Sequence, residues 1–343
     1  MRQLNKSNKW KTEERGIIGD FLTGEKVYQA LEKLTPIVHR TPLITSETTN
    51  RIVGKKVYFK MENQQKTGAF KFRGATFKLM QLTKNQLDNG VITASAGNHA
   101  QGVAYASRKL DVQATIFMPE KTPYAKVEAT KNYGADVVLV GSSFQEAYEA
   151  SMVKQKETGA TYIHPFDDYD VMAGQGTVAM EVLRQEDRID TFLVPIGGGG
   201  LISGIAIAAK HVNRNIRVIG VQASGAPAIY NRYHNIDAGD LDTVDTIAEG
   251  IAVKKPGNLT LPLIKKYVDD VVTVTDEEIA KAILYMLERN KTLMEGAGAA
   301  ALAALFKYCQ DIKTRHCGVI VSGGNIDISS IPKIQRLAGD NTA

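Results

Sequence analysis

The chain has 343 residues, 43% apolar and 23% charged, a composition that folds and a length beyond one ordinary hydrophobic core. Its net charge of +5 is spread along the sequence without a basic block, which argues against nucleic acid, and no apolar run approaches the ~18 residues that cross a bilayer. Cys309 and Cys317, with seven residues between them, match neither a zinc pair nor a redox CxxC and read as free thiols of a reducing compartment.

Met1 to Glu25 mixes Lys and Arg with Glu and lacks the apolar core of a signal peptide, so a soluble cytoplasmic protein is expected. The first strand is predicted at Val57–Glu62. It leads to Thr67-Gly-Ala-Phe-Lys-Phe-Arg-Gly-Ala75, which sets Lys71 between Phe70 and Phe72. A lysine ordinarily keeps its charge in water and lays only its stem on apolar surface. Buried among rings, the amine gives up its proton more readily and becomes a nucleophile and a base. On these residues alone both readings stand.

A strand at Val91–Ser95 runs into Ser95-Ala-Gly-Asn-His-Ala-Gln-Gly102, which opens a helix and offers backbone N–H groups beside the Ser95 and Asn98 side chains. Such a loop suits a carboxylate or a ring hydroxyl. His99 has no evident partner and reads as a supporting or capping residue rather than a base. Strands at Ala114–Met118 and Val137–Val140 then alternate with helices at Tyr124–Asn132 and Phe144–Glu157, and a further helix is predicted at Gly176–Arg184. This alternation is the pattern of parallel βαβ units in an open twisted sheet with helices on both faces.

The strand Phe192–Ile196 ends in Gly197, Gly198, Gly199 and Gly200 and enters the helix Ile202–His211. Glycines there let N–H groups crowd around an anion at the positive end of a helix, and a plain turn needs fewer of them. A phosphate is the expected guest. A dinucleotide is disfavoured: GxGxxG fails because Ile202 stands three after Gly199, and the GxGxxA at Gly296–Ala301 follows a helix-like stretch instead of a strand. Beyond the strand Val218–Gln222, the irregular region from Gly225 to Pro262 reads as loop and short helix flanking a site. A strand at Val271–Val274 and helices at Glu277–Asn290 and Ala299–Cys309 precede Val319–Val321, whose C-terminal tip, Ser322, lies where ligands of open α/β sheets collect.

Taken in order, the Lys71 segment, Ser95-Ala-Gly-Asn98, Gly197–Gly200, Glu249-Gly-Ile-Ala-Val253 with Lys255-Pro-Gly257, Glu295-Gly-Ala-Gly298 and Ser322-Gly-Gly-Asn325 resemble one family. It is the fold-type II pyridoxal-phosphate enzymes, specifically the threonine/serine dehydratases, and the resemblance spans roughly Glu25 to Leu337. It implies a tryptophan synthase β-like α/β fold of two open, twisted, mostly parallel sheets flanked by helices. Residues 1–83 and 170–343 would form a large cofactor domain and 84–169 a small mobile one. With eighteen residues after Asn325, no C-terminal regulatory domain is expected.

By the same resemblance Lys71 condenses with the aldehyde of pyridoxal phosphate and later takes the substrate's Cα proton. Gly197 to Gly200 hold the phosphate, Asn98 the ring hydroxyl, and Ser322 faces the pyridine nitrogen, with Phe70 and Leu201 also lining the cofactor. The loop Ser95, Ala96, Gly97, Asn98 and His99 grips the substrate carboxylate. A hydroxyl at Ser322 does not keep the ring nitrogen protonated as a carboxylate does, which favours prompt loss of a β-substituent. Serine racemases of the family carry a second serine where this chain has Ala96, and a metal-binding glutamate at the position matching Gln222; no tight divalent site is expected, and a monovalent ion is left open. Ala69 replaces a common serine, and Phe72-Arg73 replaces the Asp-Arg of cysteine synthases. The implied reaction is conversion of L-threonine to 2-oxobutanoate and ammonia, with L-serine as a second substrate, in a homodimer or homotetramer of isoleucine biosynthesis or threonine catabolism. Serine racemase is the alternative.

Overall fold

The structure, a computed structural model, describes residues 21–237 and 239–339. The N-terminal stretch read for a signal peptide lies, up to residue 20, outside the described residues. Ten strands are present among them: β1 (Leu43–Thr45), β2 (Lys56–Met61), β3 (Val91–Ala94), β4 (Ala114–Met118), β5 (Asp136–Leu139), β6 (Thr161–Tyr162), β7 (Thr191–Pro195), β8 (Arg217–Ala223), β9 (Asp270–Val274) and β10 (His316–Val321). They form two sheets, in the orders β1-β2-β10-β7-β8-β9 and β5-β4-β3-β6. The single sheet drawn from alternation alone is corrected here, because strands from residues 91–162 pair only with one another. Only β1 runs antiparallel, against β2. It and the two-residue β6 are too short to leave a periodic signal and were not anticipated.

Strands β7, β8 and β10 are largely apolar and buried, as parallel strands covered on both faces must be, while β2 adds the buried Lys60 to its apolar residues. Chain order and spatial order differ most at β10, which inserts between β2 and β7. That insertion brings the segment following β2, with Lys71, beside the segment following β10, with Ser322.

Several helices have other bounds than their amphipathic pattern suggests. The helix anticipated at Gly176–Arg184 runs from Tyr169 to Gln185 and is buried on every side from Val171 to Leu183. The Lys71–Leu79 helix has seven buried residues among its nine, so no polar stripe marks it. The irregular region from Gly225 holds two short helices, Ala228–Tyr233 and Thr260–Tyr267. Glu62, assigned to the first strand, instead opens a 3₁₀ turn, Glu62–Gln64, and its buried carboxylate serves Arg73.

Candidate active site

The site lies at the carboxyl ends of β3, β7 and β10, where each strand runs toward a helix N-terminus or a glycine turn, the usual place for ligands in open α/β sheets. Backbone hydrogen bonds zip its first two walls together. Phe70 N–H donates to the Ser322 carbonyl at 3.1 Å, Gly324 N–H to the Gly68 carbonyl at 2.9 Å, and Ala69 bridges Gly323. Gly68 has φ +72°, and a Cβ there would stand 2.3 Å from Asn325 Oδ1, so this junction requires glycine.

Lys71 is the first residue of its helix and is half-buried. Its Nζ donates to the Pro165 carbonyl at 2.7 Å and lies 5.4 Å from the centroid of the Phe70 ring. Burial lowers the amine's pKa to about 8, with the Glu295 carboxylate pulling the other way. Of the two readings open on sequence, the structure therefore selects the amine that is easily deprotonated. Behind it, Arg73 is wholly buried and grips Glu62 through Nε (2.7 Å) and Nη2 (2.8 Å), and Glu181 through Nη1 (2.7 Å) and Nη2 (2.9 Å). Lys60, also buried, donates to Glu181 at 2.7 Å. Two cations and two carboxylates thus close a neutral cluster that anchors the helix bearing Lys71.

The glycine run ends β7 and caps the Gly200–Val212 helix, with Gly199 at φ +100°. The N–H groups of Gly198, Gly199, Gly200 and Leu201 donate to no acceptor among the described residues. Four unpaired N–H groups at a helix N-terminus fit a dianionic phosphate. Side chains are excluded from the run: a Cβ on Gly198 would come within 2.4 Å of the Phe166 ring, and one on Gly200 within 2.9 Å of the Phe166 backbone.

The third wall is the loop after β3. Ser95 Oγ accepts from Gly97 N–H at 3.3 Å, while the N–H groups of Ala96, Asn98 and His99 have no acceptor among the described residues. Asn98 Nδ2 donates to Glu295 Oε1 at 2.7 Å, and Asn325 Nδ2 donates both to Asn98 Oδ1 and to the Thr67 carbonyl at 2.8 Å. Burial raises the Glu295 carboxyl to about 7. The His99 ring is buried and donates from Nε2 to the Ile163 carbonyl at 2.9 Å. Burial and then Lys71 push its pKa to about 3, so it stays neutral, with Nδ1 an acceptor that has no partner among the described residues. Ser322 is nearly buried at the end of β10, and its hydroxyl has no protein partner among the described residues.

Gln222 is buried in β8, its carbonyl accepting from Tyr230 N–H at 2.7 Å and its amide reaching the Ile196 carbonyl at 3.4 Å. Reading the sequence missed Pro165, Phe166, Asp167 and Thr260, which enclose Lys71 and the glycines from segments far away in the chain. The run His164-Pro-Phe-Asp-Asp168 after β6 was the available signal.

A lysine of lowered pKa, a cradle of unpaired N–H groups that fits a phosphate and an N–H loop that fits a carboxylate are the parts of an α/β enzyme that sets a nucleophilic amine beside a phosphorylated group. Comparison with known proteins makes this specific. The model of the family "Pyridoxal-phosphate dependent enzyme" matches residues 34–323, and the chain belongs to that family. The L-threonine ammonia-lyase of Thermotoga maritima is 46% identical over 91% of this chain and 78% of its own. Among solved structures, the processed form of threonine deaminase isoform 2 from Solanum lycopersicum superposes with a TM-score of 0.88, 36% identity and coverage of 96% of this chain and 94% of that one. Maize serine racemase gives a TM-score of 0.87 at 37% identity, covering 93% of this chain and 98% of its own.

Proposed function

We propose that this protein is a threonine ammonia-lyase, converting L-threonine to 2-oxobutanoate and ammonia with pyridoxal phosphate as cofactor, and acting also on L-serine. One juxtaposition carries the chemistry: the Lys71 amine, easily deprotonated, is held by the Pro165 carbonyl beside Phe166, which covers the glycine run and its four unpaired N–H groups. Similarity to threonine ammonia-lyases over nine-tenths of the chain supports the substrate.

Bound on Lys71, pyridoxal phosphate supplies the electron sink that lets a proton leave the amino acid's α-carbon. The N–H groups of Gly198 to Leu201 would hold its phosphate, with Gly197 shaping the turn before them. Asn98, itself oriented by Asn325, addresses the ring hydroxyl. Amides of the Ser95 loop bind the substrate carboxylate and fix which Cα bond faces Lys71. Lys71 Nζ then takes the Cα proton. Ser322, being uncharged, would not hold the ring nitrogen protonated as a carboxylate would, which favours elimination, and the β-hydroxyl would leave with a proton as water. The water lost in elimination is regained when the released enamine hydrolyses to oxo-acid and ammonia.

Serine racemisation is the second reading, kept open by the maize structure. Ala96 counts against it, since a methyl group has no proton to exchange on the other face of Cα. Assays of oxo-acid, ammonia and D-amino acid after separate incubation with L-threonine and L-serine decide between them. Oxo-acid and ammonia are expected, and D-serine as the main product would overturn the assignment. No helix among the described residues is long and apolar enough to cross a membrane. We place the enzyme in the cytoplasm as a homodimer or homotetramer, in isoleucine biosynthesis or threonine catabolism. The resemblance to dehydratases supports that placement, and sedimentation reports the assembly.

A further inference from the structure

The segment 163–168 leaves β6 and touches the Lys71 helix, the loop after β3 and the glycine run. Its Ile163 carbonyl holds His99, its Pro165 carbonyl holds Lys71, and Phe166 covers the glycine run. His164 Nδ1, kept an acceptor by burial, takes N–H groups from Phe166 (3.2 Å) and Asp167 (2.7 Å) and so folds the segment on itself. The Asp167 carboxylate then accepts three backbone N–H groups at the start of the distant helix Thr260–Tyr267: Asn258 at 2.9 Å through Oδ2, and Leu259 at 2.9 Å and Thr260 at 3.1 Å through Oδ1. The packing leaves no slack, because a Cβ on Gly257 would stand 2.2 Å from Asp167 Oδ1. Thr260, wholly buried, donates its hydroxyl to the Gly198 carbonyl at 2.7 Å.

A peptide unit is planar and trans, so its carbonyl and its N–H point in opposite directions. Holding the Gly198 carbonyl on Thr260 therefore turns the Gly199 N–H away from Thr260, toward the space the other unpaired N–H groups share. Glycine at φ +100° has a wide conformational range and does not fix that plane by itself. We infer that Asp167 and Thr260 are positioning residues for the phosphate: Asp167 sets the 258–260 turn, and through it Thr260 sets the peptide plane that aims the Gly199 N–H. The inference rests on the cofactor assignment and adds to it two residues that act through the backbone of the glycine run.

The test compares pyridoxal phosphate with pyridoxal, which lacks the phosphate, binding to cofactor-free protein by absorbance titration. Thr260→Val keeps the shape and removes the hydroxyl; Asp167→Asn keeps one acceptor oxygen, and Asp167→Ala removes both. Thr260→Val is expected to weaken pyridoxal phosphate roughly 3- to 10-fold, the worth of one hydrogen bond, and to change pyridoxal less than about 2-fold. Asp167→Ala is expected to lose at least as much, with Asp167→Asn between it and the parent. The double variant should bind no more weakly than Asp167→Ala alone, since both changes act on one chain of contacts. Unchanged phosphate-ester binding in Thr260→Val, equal losses for both ligands, or losses that multiply in the double variant would each overturn the inference. Should Asp167→Ala not fold, Thr260→Val and Asp167→Asn still decide it. Failure of the parent protein to take up pyridoxal phosphate at all would instead refute the cofactor assignment, and the inference with it.

Discussion

At Lys71 the deciding quantity is the fraction of amine that is neutral. A pKa of about 8 leaves about one-tenth of it neutral at pH 7, roughly 300-fold more than an ordinary lysine provides. Burial does this, and Glu295 opposes it, because a carboxylate near an ammonium favours the charged form. Two outcomes follow for the cofactor-free protein. The rate of pyridoxal phosphate capture should rise with pH and level off above about 8. In Glu295→Gln, which keeps an acceptor for Asn98, the midpoint should move to lower pH, and stopped-flow absorbance across the pH range measures both. Lys71→Ala should abolish oxo-acid formation, and activity equal to the parent would refute the assigned base. His99 makes the contrast: another buried base in the same cluster, held neutral by burial and spent on the Ile163 carbonyl.

At the scale of elements, the helix carrying Lys71 is held from behind by charge. Desolvation works against both Arg73 and Glu62, yet their pairing holds Arg73 above and Glu62 below its ordinary value. Arg73→Met leaves Glu62 and Glu181 with only Lys60 for compensation and should cost about 3–5 kcal/mol in denaturant unfolding. The sign with pH follows from Glu62. A depressed carboxylate contributes fully above its ordinary value of about 4.5 and loses that contribution as pH falls below it, so the gap between parent and variant should narrow in acid. This network also shows what the sequence discloses. Lys71, the glycines, the Ser95 loop and Ser322 were legible because their surroundings are written next to them: rings beside an amine, glycines where N–H groups must crowd. Arg73 and Glu181 are 108 positions apart, and Asp167 and Thr260 are 93 apart, so neither partner marks the other locally. The Lys71–Leu79 helix and much of Tyr169–Gln185 escaped periodicity for a related reason, since an element buried all round has no polar face to alternate with.

Across the whole molecule, the site is a seam between two sheets, and an exposed ion pair spans its rim. Lys126, on the helix Tyr124–Asn132 beside the smaller sheet, pairs with Glu249 Oε2 at 2.9 Å on the turn Glu249–Ile251 of the larger one. That turn packs on the glycine run, for a Cβ at Gly197 would stand 3.1 Å from Ile251 Cα. We propose that the small unit read at 84–169 closes over the substrate to exclude water, except for its last segment, 163–168, which Pro165 and Asp167 tie to Lys71 and to the turn 258–260. On that proposal the ion pair forms in the closed state and breaks in the open one. Glu249 is 78% exposed, so the pair is worth about 0.2–1 kcal/mol, too little to matter for folding and enough to bias closure. Lys126→Ala should raise KM for threonine by up to about 5-fold, leave kcat within about 2-fold and change unfolding by less than about 1 kcal/mol. Because salt screens an exposed pair, the parent enzyme in about 1 M salt should acquire the variant's KM while the variant hardly responds. A parent and variant that respond alike to salt would show that the pair takes no part in closure.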